Sequence, residues 1–316
     1  MDPVLEELLG EHHFFLRRDT AEAGLTDKVL YRLLRDGVLR RVRHGAYTSS
    51  AHWRSLSPSA RHVLRARCVV RSAGVQVALS HTTAALVHGA PVWDLSLADV
   101  HLVRLDRRTG RREAGVRQHG HLLDEDDVVE IGGLPVTAAA RTCLDITTIA
   151  RTEAALCMLD HFLHVGATTQ QELVRRAGTM GARPGSLAAD LVCRLADGRS
   201  ESVGESRLRY RCWLSHLPHP VPQYEIVERG RVVYRLDLAW PELGLWVEFD
   251  GKEKYLEHRR SGETVVDAVL REKRREERIA RATGWRCLRI TWADLYDPER
   301  LVALIAAVLA GGPVHA

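Results

Sequence analysis

The sequence predicts a multidomain protein that combines α+β and α/β folds. The chain has 316 residues, enough for about two or three domains. Near the N-terminus, helical segments separated by a glycine turn precede strands that alternate apolar and basic residues. In the last third, two predicted strands joined by a short turn carry carboxylates on one face. The predicted domains are residues 1–50, a mixed α/β region over residues 51–195, and residues 196–316.

Composition excludes several classes of protein. The hydrophobic fraction of 45% and the charged fraction of 27% are ordinary for a globular chain. The longest apolar run, Leu301–Ala310, is about half the ~20 residues of a membrane-spanning helix. Met1–Gly10 is acidic and is not typical of a secretory signal. The six cysteines form no CxxC motif. We therefore expect a reduced, cytoplasmic protein with no membrane partner.

Positive charge is concentrated near the N-terminus. Between Lys28 and Arg67 there are ten basic residues and one acid, Asp36, although the whole chain has a formal net charge of only +4. A local charge of this size favours an anionic partner. The alternative is a solvated basic face with no ligand.

The same region has the pattern of a helix-turn-helix. Val4–Leu16 is helical in its apolar period. Gly24 predicts a turn, and Thr26 is a suitable N-cap for a second helix over Asp27–Arg35. Gly37 is suited to the position just after that helix. The apolar residues of the second helix fall on one face, and its basic residues fall on the other.

A predicted hairpin follows this second helix. Val38–Arg43 alternates apolar and basic residues, and His44-Gly45 makes a turn before Ala46–Thr48. This order predicts a winged helix, whose second helix enters the major groove while its wing contacts phosphates. The predicted DNA-binding residues are Lys28, Tyr31, Arg32 and Arg35 on the helix, and Arg40, Arg41, Arg43 and His44 on the wing.

The residues from Ala23 to Thr26 and from Leu33 to Tyr47 resemble the N-terminal winged-helix domain of AbiEi-type antitoxins and transcriptional regulators. This resemblance implies binding to promoter DNA and a cognate toxin or another defence-system partner. Gly132–Pro135 together with Arg141–Asp145 is similar to the middle region of actinobacterial proteins that join an AbiEi-like head to a nuclease-like tail. We expect Arg141 and Asp145 to form a helix-face salt bridge.

Histidine pairs allow a metal hypothesis in the middle region. His119 and His121 flank one glycine, and His161 and His164 are spaced i, i+3 beside Asp160. Such pairs can ligate zinc. The alternative is chance, because 16 histidines in 316 residues produce close pairs without any function.

A predicted hairpin in the last third brings carboxylates together. If Trp240 pairs with Leu245, the antiparallel register places Asp237 opposite Glu248. Strict alternation then assigns the apolar side chains to one face, namely Tyr234, Leu236, Leu238 and Trp240 with Leu245, Val247 and Phe249. Asp237, Glu248 and Asp250 share the other face.

Like charges that face each other across strands are destabilising. Their presence favours a bound cation or one protonated acid. Carboxylate oxygens are the ligands that Mg²⁺ and Mn²⁺ prefer, so Asp237, Glu248 and Asp250 are the predicted metal ligands. The alternative is a solvated polar face neutralised by Arg235 and Lys252.

The order of these elements resembles the PD-(D/E)XK core of restriction endonucleases, with Glu205 on a helix, Asp237 on a strand and Glu248 on the next strand. The closest similarity is to a Vsr-like domain of unknown function, carried also by Gly284-Trp285 and by Arg289–Leu295. The resemblance implies a Mg²⁺- or Mn²⁺-dependent endonuclease. Its predicted catalytic residues are Glu205, Asp237, Glu248, Asp250, Lys252 and Lys254.

One departure from that family puts catalysis in doubt, because Asp250 occupies the usual lysine position and Lys252, Lys254 or Lys273 would have to substitute. Two hypotheses therefore stay open. The first is a DNA endonuclease docked by its winged helix, which could pair as a homodimer. The second is a non-catalytic DNA-binding regulator with a degenerate nuclease fold. RNA is a third candidate substrate. The helix predicted over Thr264–Thr283 is either a DNA contact or a solvated face.

Overall fold

A computed structural model describes residues 3–106, 108, 110–120, 123–180, 185–250 and 265–314. Lys252 and Lys254 lie outside the described residues. The chain divides into two compact units. The first unit contains Met1–Ala150 and Arg175–Ala189, and the second contains Arg151–Val174 and Asp190–Ala316. The boundaries predicted at residues 50 and 195 stay predictions, because this division follows contacts rather than independent folding.

The helices and strands up to residue 150 belong to the first unit. They are α1 (Pro3–Leu9), β1 (Phe15–Leu16), α2 (Arg17–Glu22), α3 (Asp27–Arg35), β2 (Leu39–Arg43), β3 (Ala46–Ser49), α4 (Ser50–Ser55), α5 (Pro58–Ser72), β4 (Val77–Leu79), α6 (His81–Val87), β5 (Val100–Arg104), β6 (Arg112–Glu113), β7 (Val116–His119), β8 (Val128–Ile131), β9 (Leu134–Thr137) and α7 (Ala139–Thr147).

The remaining elements begin with α8 (Thr152–His164). The next two helices, α9 (Gln170–Thr179) and α10 (Ser186–Leu195), contain the points at which the chain passes between units. The rest are α11 (Val203–Leu214), β10 (Val221–Glu228), β11 (Arg231–Trp240), β12 (Leu245–Asp250), α12 (Val265–Thr283), β13 (Arg286–Thr291), α13 (Trp292–Leu295) and α14 (Pro298–Leu309). No helix in the described part of the chain is long and apolar enough to cross a membrane.

The N-terminal elements form a helix-turn-helix with a three-stranded sheet in the order β1-β3-β2. The predicted second helix and the hairpin after it are confirmed. The prediction of one helix over Val4–Leu16 is wrong, because α1 ends at Leu9 and Gly10 adopts a positive φ of 46°. Phe15 and Leu16 instead form β1 and pair with β3. Phe15 is fully buried there.

Helix α5 connects the winged helix to the rest of the first unit. Leu64 and Cys68 pack against the winged helix in a cluster with Leu16. Ala66 and Val69 of α5 pack in a different cluster with the six-stranded sheet. One amphipathic helix therefore supplies two cores through two of its faces.

That sheet is mixed, with the order β6-β7-β5-β4-β9-β8. Strands β5 and β7 are parallel, and so are β4 and β9. Next to the sheet, the predicted salt bridge on α7 is confirmed, with Arg141 Nε 2.9 Å from Asp145 Oδ1. Arg141 also pairs with buried Asp127 at 3.0 Å, and Arg176 pairs with the same carboxylate. Asp127 therefore fixes Arg176 to the first unit.

The second unit contains a four-stranded sheet in the order β10-β11-β12-β13. The first three strands are antiparallel, and β13 is parallel to β12. Leu208 of α11 and Ile305 of α14 pack in one core cluster with Val247. Ile279 of α12 packs in another cluster with Trp246. Helices therefore cover both faces of this sheet.

Candidate nucleic-acid interface and carboxylate cluster

Helix α3 presents a polar face to solvent because its apolar face is held in the winged-helix core. The Thr26 hydroxyl caps the helix by accepting a hydrogen bond from the backbone N–H of Val29. Leu30 is buried in a cluster with Leu39 and Tyr47. The residues predicted to contact DNA from this helix, Lys28, Tyr31, Arg32 and Arg35, are all exposed. Tyr31 has 69% of its surface exposed.

The wing is the β2–β3 hairpin, and Gly45 turns it with a φ of 71°. Arg40, Arg41 and His44 are exposed, as a phosphate contact requires. Arg43 is different, because its guanidinium donates to the hydroxyl of Ser72 at 2.6 Å. That contact directs Arg43 toward α5.

A basic groove lies beside the wing. Its volume is about 360 Å³, and Arg40, Arg41, Trp53, Arg61 and Arg65 contribute to its walls. The guanidiniums of Arg40 and Arg61 lie 5.1 and 5.4 Å from the centre of the Trp53 ring. The Arg61 Nε also donates to the carbonyl of Trp53. The sequence signal for this groove was the run of basic residues up to Arg67, but the contribution of Trp53 was not predicted.

In the second unit, the predicted hairpin register is confirmed. Trp240 pairs with Leu245, and Leu238 pairs with Val247. The paired residues of β11 and β12 end at Leu238 and Val247, and Asp237 and Glu248 are the next positions on the two strands. The predicted single apolar face is wrong, because Leu236 packs with Ala239 rather than with Leu238. The side chains of β11 therefore do not alternate regularly between the two faces of the sheet, and the irregularity lies at Asp237.

We use the name carboxylate cluster for Glu205, Asp237, Glu248 and Asp250. Glu205 lies in the first turn of α11 and is only 1% exposed. Its oxygens accept hydrogen bonds from the Ser202 hydroxyl at 2.7 Å and from Gln223 Nε2 at 3.0 Å. Burial, and secondly the charge of Asp237, raise the pKa of Glu205. Glu205 is therefore a buried, hydrogen-bonded carboxylate next to Asp237.

The other carboxylates have partners on three elements. Asp237 accepts a hydrogen bond of 2.9 Å from the backbone N–H of Phe249. Arg275 of α12 donates to Glu248 at 2.8 Å, and Arg289 of β13 lies 3.7 Å from Asp250. Within the part of the chain that the structure describes, two arginines distant in sequence thus lie next to these carboxylates.

Arg235, the cation predicted to neutralise this face, forms ion pairs with Glu225 at 3.1 Å and with Glu201 at 3.7 Å. Its carbonyl accepts a hydrogen bond from Arg275. Lys252, the other predicted cation, lies outside the described residues. Lys273 is exposed on α12.

The geometry limits how a cation could bind here. Within the described residues, no three members of the carboxylate cluster have ligand oxygens that all lie within 4.8 Å of one another. A cation held in this geometry would therefore use fewer than three of them directly. Carboxylate oxygens remain the donor type that suits Mg²⁺ and Mn²⁺.

Two curated relatives are uncharacterized proteins of Mycobacterium tuberculosis, from strains CDC 1551 and H37Rv. Each is 32% identical over 177 residues, which is 56% of this chain and 62% of the relative. The alignment therefore spans less than two thirds of either relative. The family described as "Transcriptional regulator, AbiEi antitoxin" matches residues 3–50 of this chain. The similarity of the winged helix to AbiEi-type regulators and antitoxins is thereby confirmed.

Proposed function

We propose that this chain binds duplex DNA through its N-terminal winged helix. The observation that carries the proposal is the exposed face of α3. The other side of this helix packs in the winged-helix core. The exposed side carries Lys28, Tyr31, Arg32 and Arg35. The match of residues 3–50 to a regulator and antitoxin family supports it. A regulatory, antitoxin-like role follows from that similarity.

In this proposal, α3 enters the major groove, where arginine and lysine can reach base edges. The exposed Arg40 and Arg41 of the wing contact phosphates, which position the protein but carry little sequence information. The groove around Trp53 continues the basic surface beyond the wing. Binding should therefore weaken steeply as salt rises, because each phosphate contact releases counterions.

Fluorescence anisotropy with a labelled duplex of random sequence tests the proposal across a range of salt concentrations. We expect Arg32→Ala/Arg35→Ala, which removes contacts of α3, to bind at least about tenfold more weakly than wild type. Arg40→Ala/Arg41→Ala, which removes phosphate contacts of the wing, should reduce the slope of log K against log salt concentration by about one for each lost contact. The control is Arg194→Ala, which removes an arginine of the second unit whose side chain is 63% exposed.

Equal affinity of the α3 variant and wild type would contradict the proposal. An RNA duplex of the same sequence separates the alternative substrates. The deep, narrow major groove of A-form RNA does not admit a recognition helix, so a DNA-binding winged helix should prefer DNA.

We propose a metal-dependent nuclease as a second candidate function, located in the second unit. The observation that favours it is the strand order β10-β11-β12-β13 after α11, with Asp237 and Glu248 next to the paired residues Leu238 and Val247. This arrangement is consistent with the resemblance to the PD-(D/E)XK core. The competing proposal is a non-catalytic scaffold, because Asp250 stands at the position of the family lysine.

The carboxylate oxygens fit a hard divalent cation. Asp237 and Glu248 would hold Mg²⁺ or Mn²⁺, and Asp250 or Glu205 would orient its shell. When bound, such an ion polarises a phosphodiester and lowers the pKa of a water ligand. Arg275 keeps the Glu248 carboxylate in place against α12. Lys252, Lys254 or Lys273 would supply positive charge for the scissile phosphate.

Calorimetry with Mg²⁺ and Mn²⁺, together with nicking of supercoiled plasmid, tests the nuclease proposal. Asp237→Asn keeps an oxygen that can accept from Phe249 but removes the charge. We expect it to lose cation binding and nicking together, whereas Glu242→Gln, at an exposed position in the adjoining turn, should retain both. Cation binding without nicking would favour the scaffold, and no cation binding by folded wild type would overturn the metal site.

A further inference from the structure

Three histidines from three separate elements meet beside the six-stranded sheet. His81 begins α6, His101 lies in β5, and His119 ends β7. Among the described residues, they are the one set of three histidine, cysteine or acidic side chains whose ligand atoms all lie within 4.8 Å of one another. We propose that His81, His101 and His119 form a binding site for a divalent transition metal, with Zn²⁺ as the preferred ion.

The topology of the sheet explains why the three side chains meet. Strands β5 and β7 are parallel, and Val103 is opposite His119 in their register. His101 is two residues before Val103, so His101 and His119 lie on the same face as diagonal neighbours. His81 reaches them from the first residue of α6. Sequence spacing alone could not reveal this set, because its members are 18 to 38 residues apart.

The separation of His101 from each of the other two histidines is close to that of a metal centre. His101 Nδ1 lies 3.0 Å from His119 Nε2. The ring centres of His81 and His119 are 3.7 Å apart, and those of His81 and His101 are 5.4 Å apart. With Zn–N bonds of about 2.0–2.1 Å, two ligand nitrogens in tetrahedral geometry are about 3.4 Å apart. The nitrogens of His101 and His119 therefore need only a small movement to reach that separation.

One ring must turn for the metal to bind. The rings of His81 and His119 are stacked with an angle of 18° between their planes, whereas a ligated metal lies in the plane of each imidazole. His119 is the best placed of the three to rotate, because it is half-buried at the end of its strand while His81 and His101 are buried.

The contact of the His81 ring resembles the outer shell of metal sites, and a backbone contact holds His101 in place. His81 Nδ1 lies 2.9 Å from the Ser80 hydroxyl, which leaves Nε2 as its ligand atom. The backbone N–H of His101 donates to the Thr83 hydroxyl at 2.8 Å and fixes the strand at that point. Ligating histidines usually have a hydrogen bond on their second ring nitrogen, and the contact of His81 with Ser80 is of this kind.

The donor set selects the metal. Imidazole nitrogen suits Zn²⁺, Cu²⁺ and Ni²⁺, whereas the carboxylate cluster suits Mg²⁺ and Mn²⁺. Three protein ligands leave one position of a tetrahedral ion for water or another group. The proposal is independent of the DNA and nuclease proposals. The predicted pairing of His119 with His121 is not part of it, since His121 lies outside the described residues.

The experiment uses the full chain after treatment with a chelator. Zn²⁺ binding is measured by calorimetry, and Co²⁺ binding is followed by the visible d–d absorption of a tetrahedral site. We expect about one equivalent in wild type. His119→Ala should bind at least about tenfold more weakly, since second-shell changes alone already cost about 10–100-fold. It should also lose the tetrahedral Co²⁺ bands.

His161→Ala/His164→Ala is the matched control. It removes the second histidine pair of the metal hypothesis from sequence, whose His164 Nδ1 contacts the carbonyl of Gly198 at 3.1 Å, and it should leave Zn²⁺ and Co²⁺ binding unchanged. Asp237→Asn should also leave the Co²⁺ bands unchanged. Circular dichroism checks the folding of each variant. His119→Ala is preferred over variants of the two buried histidines, whose replacement endangers the fold.

Thermal unfolding gives a second readout. Zn²⁺ should raise the Tm of wild type, because a ligand that binds only the folded state stabilises it, and it should not raise the Tm of His119→Ala. The proposal is overturned if folded wild type takes up neither Zn²⁺ nor Co²⁺. It is equally overturned if His119→Ala binds them as wild type does.

Discussion

Gly204 sets how closely α11 approaches strand β12. A Cβ atom at this position would lie 2.1 Å from an atom of the Phe249 ring, well inside van der Waals contact. The next residue in the helix is the buried Glu205. The missing side chain of Gly204 therefore allows the helix that carries Glu205 to lie against the strand that carries Glu248.

We expect Gly204→Ala to destabilise the second unit by about 1–3 kcal/mol, because the added methyl overpacks the helix against Phe249. Urea unfolding followed by circular dichroism measures the change. Gly178→Ala is the matched control, since a Cβ there meets nothing within 4 Å on the helix α9. That variant should be neutral or more stable, because alanine favours helix over glycine. Equal effects of the two substitutions would contradict the packing argument.

His62 is a buried histidine held in its neutral form. Its Nε2 lies 2.8 Å from the Thr83 hydroxyl and its Nδ1 lies 3.1 Å from the carbonyl of Leu97. The Leu97 carbonyl can only accept, so Nδ1–H of the neutral ring donates to Leu97 and Nε2 accepts from the Thr83 hydroxyl. Burial, and then the charge of Arg65, lower the pKa of His62 to about 4.

This pKa predicts a loss of stability in mild acid. Between about pH 6.5 and 4, the unfolded chain protonates His62 while the folded chain does not, so the free energy of unfolding falls as the pH falls. His62→Gln removes the titrating group. We expect the urea midpoint of wild type to decrease more between pH 7 and pH 5 than that of His62→Gln. Parallel decreases would show that His62 is not the source.

At the scale of single elements, α5 is the helix on which the first unit depends. It packs on the winged helix through Leu64 and Cys68 and on the six-stranded sheet through Ala66 and Val69. Ion pairing adds to this contact, since Arg71 lies 2.9 Å from Asp19 of α2. Loosening α5 should therefore affect the position of the winged helix as well as the sheet.

Leu64→Ala should destabilise the first unit by about 2–5 kcal/mol, the usual cost of removing a buried leucine side chain. Leu187→Ala is its control, because Leu187 is 89% exposed and such surface changes are usually within about 0.5 kcal/mol. Thermal unfolding of both variants checks the prediction. A similar loss of stability in the two variants would be inconsistent with α5 as the connecting core helix.

Some elements could be predicted from sequence because local chemistry determines them. Thr26 and Gly37 mark the two ends of α3, and both signals depend on residues within one helix. The register of Trp240 with Leu245 follows from a short turn and alternating side chains. The irregular order of side chains at Asp237 could not be predicted in this way, since it depends on the packing of Leu236 with Trp246 of the neighbouring strand.

At the scale of the whole molecule, the sites depend on contacts between distant residues. Arg275 reaches Glu248 over 27 positions in the sequence. The three histidines of the proposed metal site come from elements that become neighbours only when the six-stranded sheet forms. Local patterns contain no information on such pairs. The exposed face of α3 that carries Lys28, Tyr31, Arg32 and Arg35 was predictable because one helix contains it.

The division of the chain into units is interleaved. Residues 175–189 return to the first unit, where Arg176 pairs with Asp127. Residues 151–174 belong to the second unit, where Glu153 pairs with Arg207 at 2.9 Å. Because the two units alternate along the chain, a single genetic crossover between two related genes always produces at least one unit with segments from both parents. We therefore expect the two residues of each ion pair to be inherited together. The two units should evolve as one gene and not as modules that can be exchanged between genes.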